Sequence, residues 1–215
     1  MPIRTTGFFL ILLLGAALAG CGAKYIQSLL PAELEKHSIQ EVGLIPFIVE
    51  PQSTGEIRSG RVEDDGAQMI TDQFYQKLIE RHVTVIRWGN QAPLPSDGGA
   101  APLSDLERAE QIGKILKTST VLFGSVTTFT EREGDAYGIR KPASVGFTVQ
   151  LIHPEDGHLL WKASYNETQK SLMEDISAFH LFFRRGGRWL TAAELSDDGV
   201  EQLMAASPWA QAKTR

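Results

Sequence analysis

The sequence predicts an α/β sandwich in which a mixed β-sheet of about five strands is packed with helices, and three observations predict it. Short apolar runs of strand length alternate with segments of helical periodicity, the pattern of layered α/β packing. An Asp-Gly pair, Asp156-Gly157, separates two strand-like runs and marks an antiparallel hairpin. Roughly 190 residues remain after an N-terminal leader, enough for one domain with a real core.

The chain opens with Arg4, the apolar run Phe8-Phe9-Leu10-Ile11-Leu12-Leu13-Leu14 and the small residues Gly15-Ala16-Ala17, which is the layout of a secretory signal peptide. That run is too short for a transmembrane helix, which needs roughly 20 apolar residues. Leu18-Ala19-Gly20-Cys21 matches the lipobox of bacterial lipoproteins, in which cleavage precedes a cysteine whose thiol carries diacylglycerol. Cys21 is the only cysteine, so the mature chain can form no internal disulfide. We therefore expect residues 1–20 to be a signal peptide, 21–40 a lipidated tether with a weak apolar patch at Tyr25, Ile26, Leu29 and Leu30, 41–206 the domain, and 207–215 a C-terminal tail. Gly22 follows the cysteine where enteric inner-membrane lipoproteins carry Asp, which favours the outer membrane and a periplasm-facing domain. Residues 1–20 hold Arg4 and no acid, so their removal moves the net charge from −5 to −6. Nothing in that balance points to a nucleic-acid partner, and we expect none.

Val42 to Ile48 reads as a buried strand ending near Pro46, and Pro51–Asp65, with Gly55 and Gly60 among charges, reads as a loop. Ile70, Phe74 and Leu78 fall on one face of a helix over 67–81. Val83–Trp88 is a second strand, followed by a Pro/Gly-rich excursion to Pro102. Ser104 and Glu107 have capping-box spacing and open a helix presenting Leu106, Ala109, Ile112, Ile115 and Leu116. Thr120–Glu133 is a long strand in which Gly124 permits close packing or a bulge. Ala143–His153 and Leu159–Gln169 flank the Asp-Gly turn, with Val145, Phe147, Val149 and Leu151 alternating against polar neighbours. Thr191 and Glu194 again fit a capping box, and Gly199 weakens the helix they open.

Taken in order, Val42-Gly-Leu-Ile-Pro-Phe47, Ala109-Glu-Gln-Ile-Gly113, Val121-Leu-Phe-Gly-Ser-Val126 and Val149 through Trp161 resemble the superfamily of bacterial lipoproteins that includes CsgG, LpoB, PelC and the N-terminal domain of TolB. The resemblance covers roughly residues 41–205. It implies a non-enzymatic scaffold or accessory subunit of an envelope assembly such as curli-like secretion, exopolysaccharide export or cell-wall synthase activation. It also implies envelope protein partners and a homo-oligomeric ring. One departure is clear: the curli pore builds its barrel from two long hairpins per subunit, whereas Glu131–Pro142 is polar and short, and Phe179–Trp189, with its Arg184-Arg185-Gly186-Gly187-Arg188 centre, is also too short. Spanning strands need about 9 to 11 residues each, so we expect no pore formed by this chain alone.

The segment Phe179, Phe182, Phe183, Arg184, Arg185 and Trp189 combines aromatics with arginines and suits a membrane or partner contact. The competing reading has the aromatics completing the core while the arginines sit in water. His153 and His158 flank Asp156, but a tight turn brings such residues together without a metal, and we predict neither metal nor cofactor. Glu63-Asp64-Asp65 precede a helix, where negative charge is stabilised by the macrodipole. The chain lacks a Gly-x-Ser-x-Gly elbow, a Ser-x-x-Lys tetrad and a Gly-Lys-Ser/Thr phosphate loop, so we expect no enzyme. A second function class, a periplasmic carrier of small ligands or lipid, would require a large apolar cavity.

Overall fold

The computed structural model describes residues 25–28 and 105–106 by backbone, and 39–50, 62, 65–89, 107–169 and 186–210 in full. The strands are β1 (Tyr25–Ser28), β2 (Glu41–Leu44), β3 (Ile48–Val49), β4 (Thr84–Arg87), β5 (Val121–Thr130), β6 (Glu133–Gly134), β7 (Ile139–Lys141), β8 (Ser144–Ile152) and β9 (Leu159–Thr168). The helices are α1 (Gly66–Glu80), α2 (Asp105–Leu116) and α3 (Ala192–Met204). Seven strands form one sheet in the order β1-β9-β8-β5-β2-β4, with β3 also on β5, while β6 and β7 pair separately. Parallel pairing at β4-β2-β5 and antiparallel pairing at β5-β8-β9-β1 make the sheet mixed. The expected α/β class is therefore correct, with more strands than the sequence suggested.

Three layers follow from which side chains are buried together. Ile70, Phe74 and Leu78 of α1 and Leu195, Val200 and Leu203 of α3 share one core with Phe147, Val149 and Leu151 of β8. On the opposite sheet face, Ala109 and Ile112 of α2 pack with Ile45, Val121, Phe123 and Ile152. Ile115, expected on that apolar face, is 58% exposed. Three residues on from Ile112 is a 300° rotation, which carries Ile115 past the edge of a face centred on Ala109, Ile112 and Leu116.

The expected strand Val42–Ile48 is broken at Pro46. Proline has no N–H for a ladder and pushes the preceding residue toward extended geometry, so pairing ends with the Ile45 N–H to Leu122 O bond and resumes at Ile48. The corner turns Phe47 onto α1, where its N–H donates to Thr71 Oγ1 at 2.9 Å while that hydroxyl donates to Ala67 O at 2.7 Å. Gly124 answers the choice left open by the sequence in favour of close packing: a Cβ there would lie 2.5 Å from the Phe47 ring and 2.3 Å from Thr148 O. The register shift of β5 occurs further on, between Val126 and Thr128.

Two boundaries need correction. Within 21–40, read as tether, Tyr25–Ser28 runs antiparallel to β9 with Tyr25 opposite Ser164 and Ser28 opposite Trp161. Four residues with only Tyr25 and Ile26 apolar are too short to show strand periodicity. The tail boundary at 207 also falls too early, since Trp209 is 4% exposed and its Nε1–H donates to Ile39 O at 3.1 Å. A tryptophan that buries its indole and satisfies its donor belongs to the core.

α3 closes the domain. Its capping box is formed as expected, Thr191 Oγ1 accepting from Glu194 N and the Glu194 carboxylate accepting from Thr191 N. Gly199 has a packing reason: a Cβ there would meet the Tyr165 ring at 2.6 Å. Gly199→Ala exchanges a helix-propensity gain of about 1 kcal/mol for an overpacking cost of about 1–3 kcal/mol. We expect a lower urea midpoint for this variant; a higher midpoint would mean that α3 does not press on Tyr165.

Candidate functional site

The end of the sheet defined by Thr130, Ser144 and Thr168 carries the candidate site, because β5, β8 and β9 all reach it in register. Beyond Thr130 the chain folds into the β6–β7 hairpin. Its turn is held by Asp135, whose Oδ1 accepts from Tyr137 N at 2.8 Å and Gly138 N at 2.7 Å, while Asp135 N donates to Gly138 O at 3.0 Å. The N–H groups of Tyr137 and then Gly138 hold the Asp135 carboxyl below its ordinary pKa. Tyr137 stands at the tip with 83% of its surface exposed, and Arg140 and Lys141 on β7 are also exposed.

A polar network fastens this hairpin to the chain segment entering α3. Gly186 and Gly187, at φ +82° and +66°, turn the backbone into Arg188, positions where a side chain would be strained. Trp189 N donates to Ala136 O at 2.9 Å, and Arg132 Nη1 donates to Trp189 O. Gln169, 4% exposed, donates to Arg188 O at 3.1 Å and accepts from Leu190 N at 2.8 Å. Glu131 Oε2 accepts from Ala192 N at 2.9 Å, satisfying a helix N-terminal donor. Arg188 grips Glu194 with two nitrogens at 2.6 and 3.0 Å. Those hydrogen bonds keep the Glu194 carboxyl below its usual pKa and raise that of Arg188.

Of the contact segment expected from sequence, Phe179, Phe182, Phe183, Arg184 and Arg185 lie outside the described residues, as does Cys21. Trp189 is described, half-buried, with its backbone held between the hairpin and α3. Sequence reasoning missed Tyr137, whose only signal was a lone aromatic inside a polar, glycine-flanked stretch. It also missed Gln169 and Arg132, whose roles depend on residues 19 to 57 positions away.

The other expected cluster lies at the opposite end. Asp156 Oδ1 accepts from His158 N at 3.0 Å and lies 2.9 Å from His153 Nδ1, and Oδ2 is 3.3 Å from His158 Nδ1. The His158 N–H, more than either imidazole, lowers the Asp156 pKa. With Gly157 at φ +73°, these bonds close the β8–β9 turn. Two surface grooves are also present, about 510 Å³ between α1 and α3 and about 520 Å³ between α2 and that turn. The first is lined by Asp65, Asp72, Glu80 and Asp197 around Lys77, with Asp72 paired to Arg87 and Asp197 to Lys77, which leaves the groove acidic. Glu63 and Asp64 lie outside the described residues, while Asp65 occupies the α1 N-cap without a side-chain cap bond.

No family model matches the chain, and no curated protein matches it. Among solved structures, the PelC dodecamer from Paraburkholderia phytofirmans is similar at a TM-score of 0.51, with 15% identity over 87% of this chain and 96% of that one. Lipoprotein GNA1162 from Neisseria meningitidis has a TM-score of 0.42 and 14% identity over 68% of this chain and 92% of its own. The C-terminal domain of LpoB from Salmonella enterica has 0.36 and 14% over 64% and 92%. At these identities the PelC similarity shows a common fold.

The Arg188–Glu194 pair makes a pH-dependent contribution whose sign is fixed. Because the folded Glu194 pKa lies below the unfolded value of about 4.3, the contribution is complete above that value and is lost as pH falls toward the folded pKa. The Tm gap between wild type and Glu194→Gln should be constant from about pH 6 to 7 and narrow below about pH 4. A gap unchanged by acid would contradict the pairing.

Proposed function

We propose that the chain is an outer-membrane lipoprotein, cleaved after Gly20, lipidated on Cys21 and facing the periplasm, which acts as a non-enzymatic scaffold or accessory subunit of an envelope assembly. The observation that carries this reading is the lipobox Leu18-Ala19-Gly20-Cys21 standing four residues before the first strand of an α/β domain. Each buried CH₂ of an acyl chain contributes about 0.8 kcal/mol, so more than one chain on Cys21 gives stable attachment. PelC, which shares the fold, was crystallised as a dodecamer. By that likeness we assign this chain to the superfamily of CsgG, LpoB, PelC and TolB N-terminal domains, and infer that it forms a ring of like subunits. Exopolysaccharide export is the system we favour among curli-like secretion, export and synthase activation. The Phe179–Trp189 segment then serves as a membrane or partner contact, and within it the backbone of Trp189 is held by Arg132 and Ala136.

The carrier alternative gains no support from the core. Between the sheet and helices α1 and α3 the described space is occupied by Phe74, Phe147, Trp161, Tyr165 and Leu195, each 1% exposed or less.

Wild-type protein should incorporate radiolabelled palmitate and fractionate with outer membranes, while Cys21→Ser should remain unlabelled and soluble in the periplasm. Native mass spectrometry of the detergent-extracted wild type should give a closed oligomer. A soluble, unlabelled wild type would overturn the anchor, and a monodisperse monomer without co-purifying protein would overturn the ring.

A further inference from the structure

We propose that the tip of the β6–β7 hairpin, Tyr137 with Arg140 and Lys141, rests in the headgroup region of the membrane that holds the lipidated N-terminus. The proposal depends on lipidation at Cys21 and adds which surface of the domain meets the bilayer. It follows from a strand register and two chain lengths. β1 runs antiparallel to β9, and its Tyr25 end points toward Thr168, the sheet end from which the hairpin projects. Cys21 precedes Tyr25 by four residues, and four extended residues span at most about 14 Å. Tyr25 itself stands opposite Ser164, four residues short of Thr168, a distance of about 13 Å along the strand. The lipid attachment therefore reaches little further than the sheet end. The Asp135–Gly138 turn begins five residues past Thr130, at the same end of the sheet, where Ala136 O accepts from Trp189 N. An anchor that short holds the sheet end that carries the hairpin close to the bilayer.

The chemistry of the tip suits that depth. Tyrosine places its ring among acyl carbons and its hydroxyl among headgroups, and basic side chains reach lipid phosphates. Tyr137 is the most exposed large apolar residue among those described, at 83%. Glu133, opposite Lys141 in the register, and the ionised Asp135 balance the two basic residues, so Arg140 and Lys141 serve as individual phosphate contacts and not as a net positive patch. The Asp135 bonds close the turn, with Gly134 at φ +123°, and place Tyr137 at its tip.

Because Cys21 is the only cysteine and its thiol carries lipid under this reading, an introduced cysteine can be labelled uniquely. Tyr137→Cys and, at the opposite end of the sheet, Glu155→Cys would each carry an environment-sensitive fluorophore in full-length lipidated protein on phosphatidylethanolamine/phosphatidylglycerol vesicles. Quenching by a headgroup-level nitroxide lipid should be at least threefold greater at position 137 than at 155, with iodide showing the reverse order. Equal quenching at the two positions, with free access of iodide to 137, would overturn the proposal. If the protein does not float with vesicles, the lipidation reading fails. The same pair of labels on a chain carrying hexahistidine in place of Cys21, bound to nickel-chelating vesicles, then decides the hairpin by the same two results.

Discussion

A file of aromatic rings holds the layers of this domain in register, and the remaining structure depends on it. Phe47 lies 5.2 Å from Phe74, Phe74 meets Phe147 edge-on at 6.0 Å, and Phe147 lies 5.5 Å from Tyr165. The four rings belong to the corner after β2, to α1, to β8 and to β9. Tyr165 in turn presses on Gly199 of α3, and its hydroxyl donates to Glu167 at 2.7 Å. Each offset or edge-on pair contributes roughly 0.5–1.5 kcal/mol beyond area burial. More important for function, the file allows only one register of β8 against β9, since a one-residue slip would turn Phe147 and Tyr165 to the polar face.

That fixed register determines the candidate site. With β5, β8 and β9 locked together, their ends at Thr130, Ser144 and Thr168 coincide, and the hairpin, the Gln169 bridge and the Arg188–Glu194 clamp are assembled at one place. The outer sheet face contributes hydroxyl pairs, Thr148 with Ser164 at 3.0 Å and Ser144 with Thr168 at 2.7 Å, which keep the same register from the polar side. α1 and α3 are further joined by Arg81, 3% exposed, whose guanidinium donates to Lys77 O and Glu201 Oε1, each at 3.1 Å.

Sequence reasoning reached as far as local periodicity and local capping reach. Ile70, Phe74 and Leu78, the alternation of β8, the Asp156-Gly157 turn and the Thr191–Glu194 box all depend on neighbours a few positions away, and all are found as read. Ile115 failed because an apolar residue at the margin of a helical face has no sequence mark distinguishing it from one inside. β1 and Trp209 failed because their structure comes from distant partners, Ser164 to Trp161 for the first and Ile39 for the second. The site was legible only in part. Trp189 stood out by composition, whereas Tyr137 and Gln169 gain their meaning from a fold that brings residues 131–142, 169 and 186–194 together.

β1 is the element that links the domain to the lipid-bearing N-terminus. If the lipid on Cys21 locates the domain, the pairing of Tyr25–Ser28 on β9 decides which end of the sheet is held close to the bilayer. That pairing is accessible to direct test by cysteine cross-linking in a Cys21→Ser background. Gln27→Cys with Lys162→Cys, directly opposite in the register, should form an intramolecular disulfide under mild oxidation, while Gln27→Cys with Asn166→Cys should not. Preferential closure of the second pair, or closure of neither, would contradict the pairing.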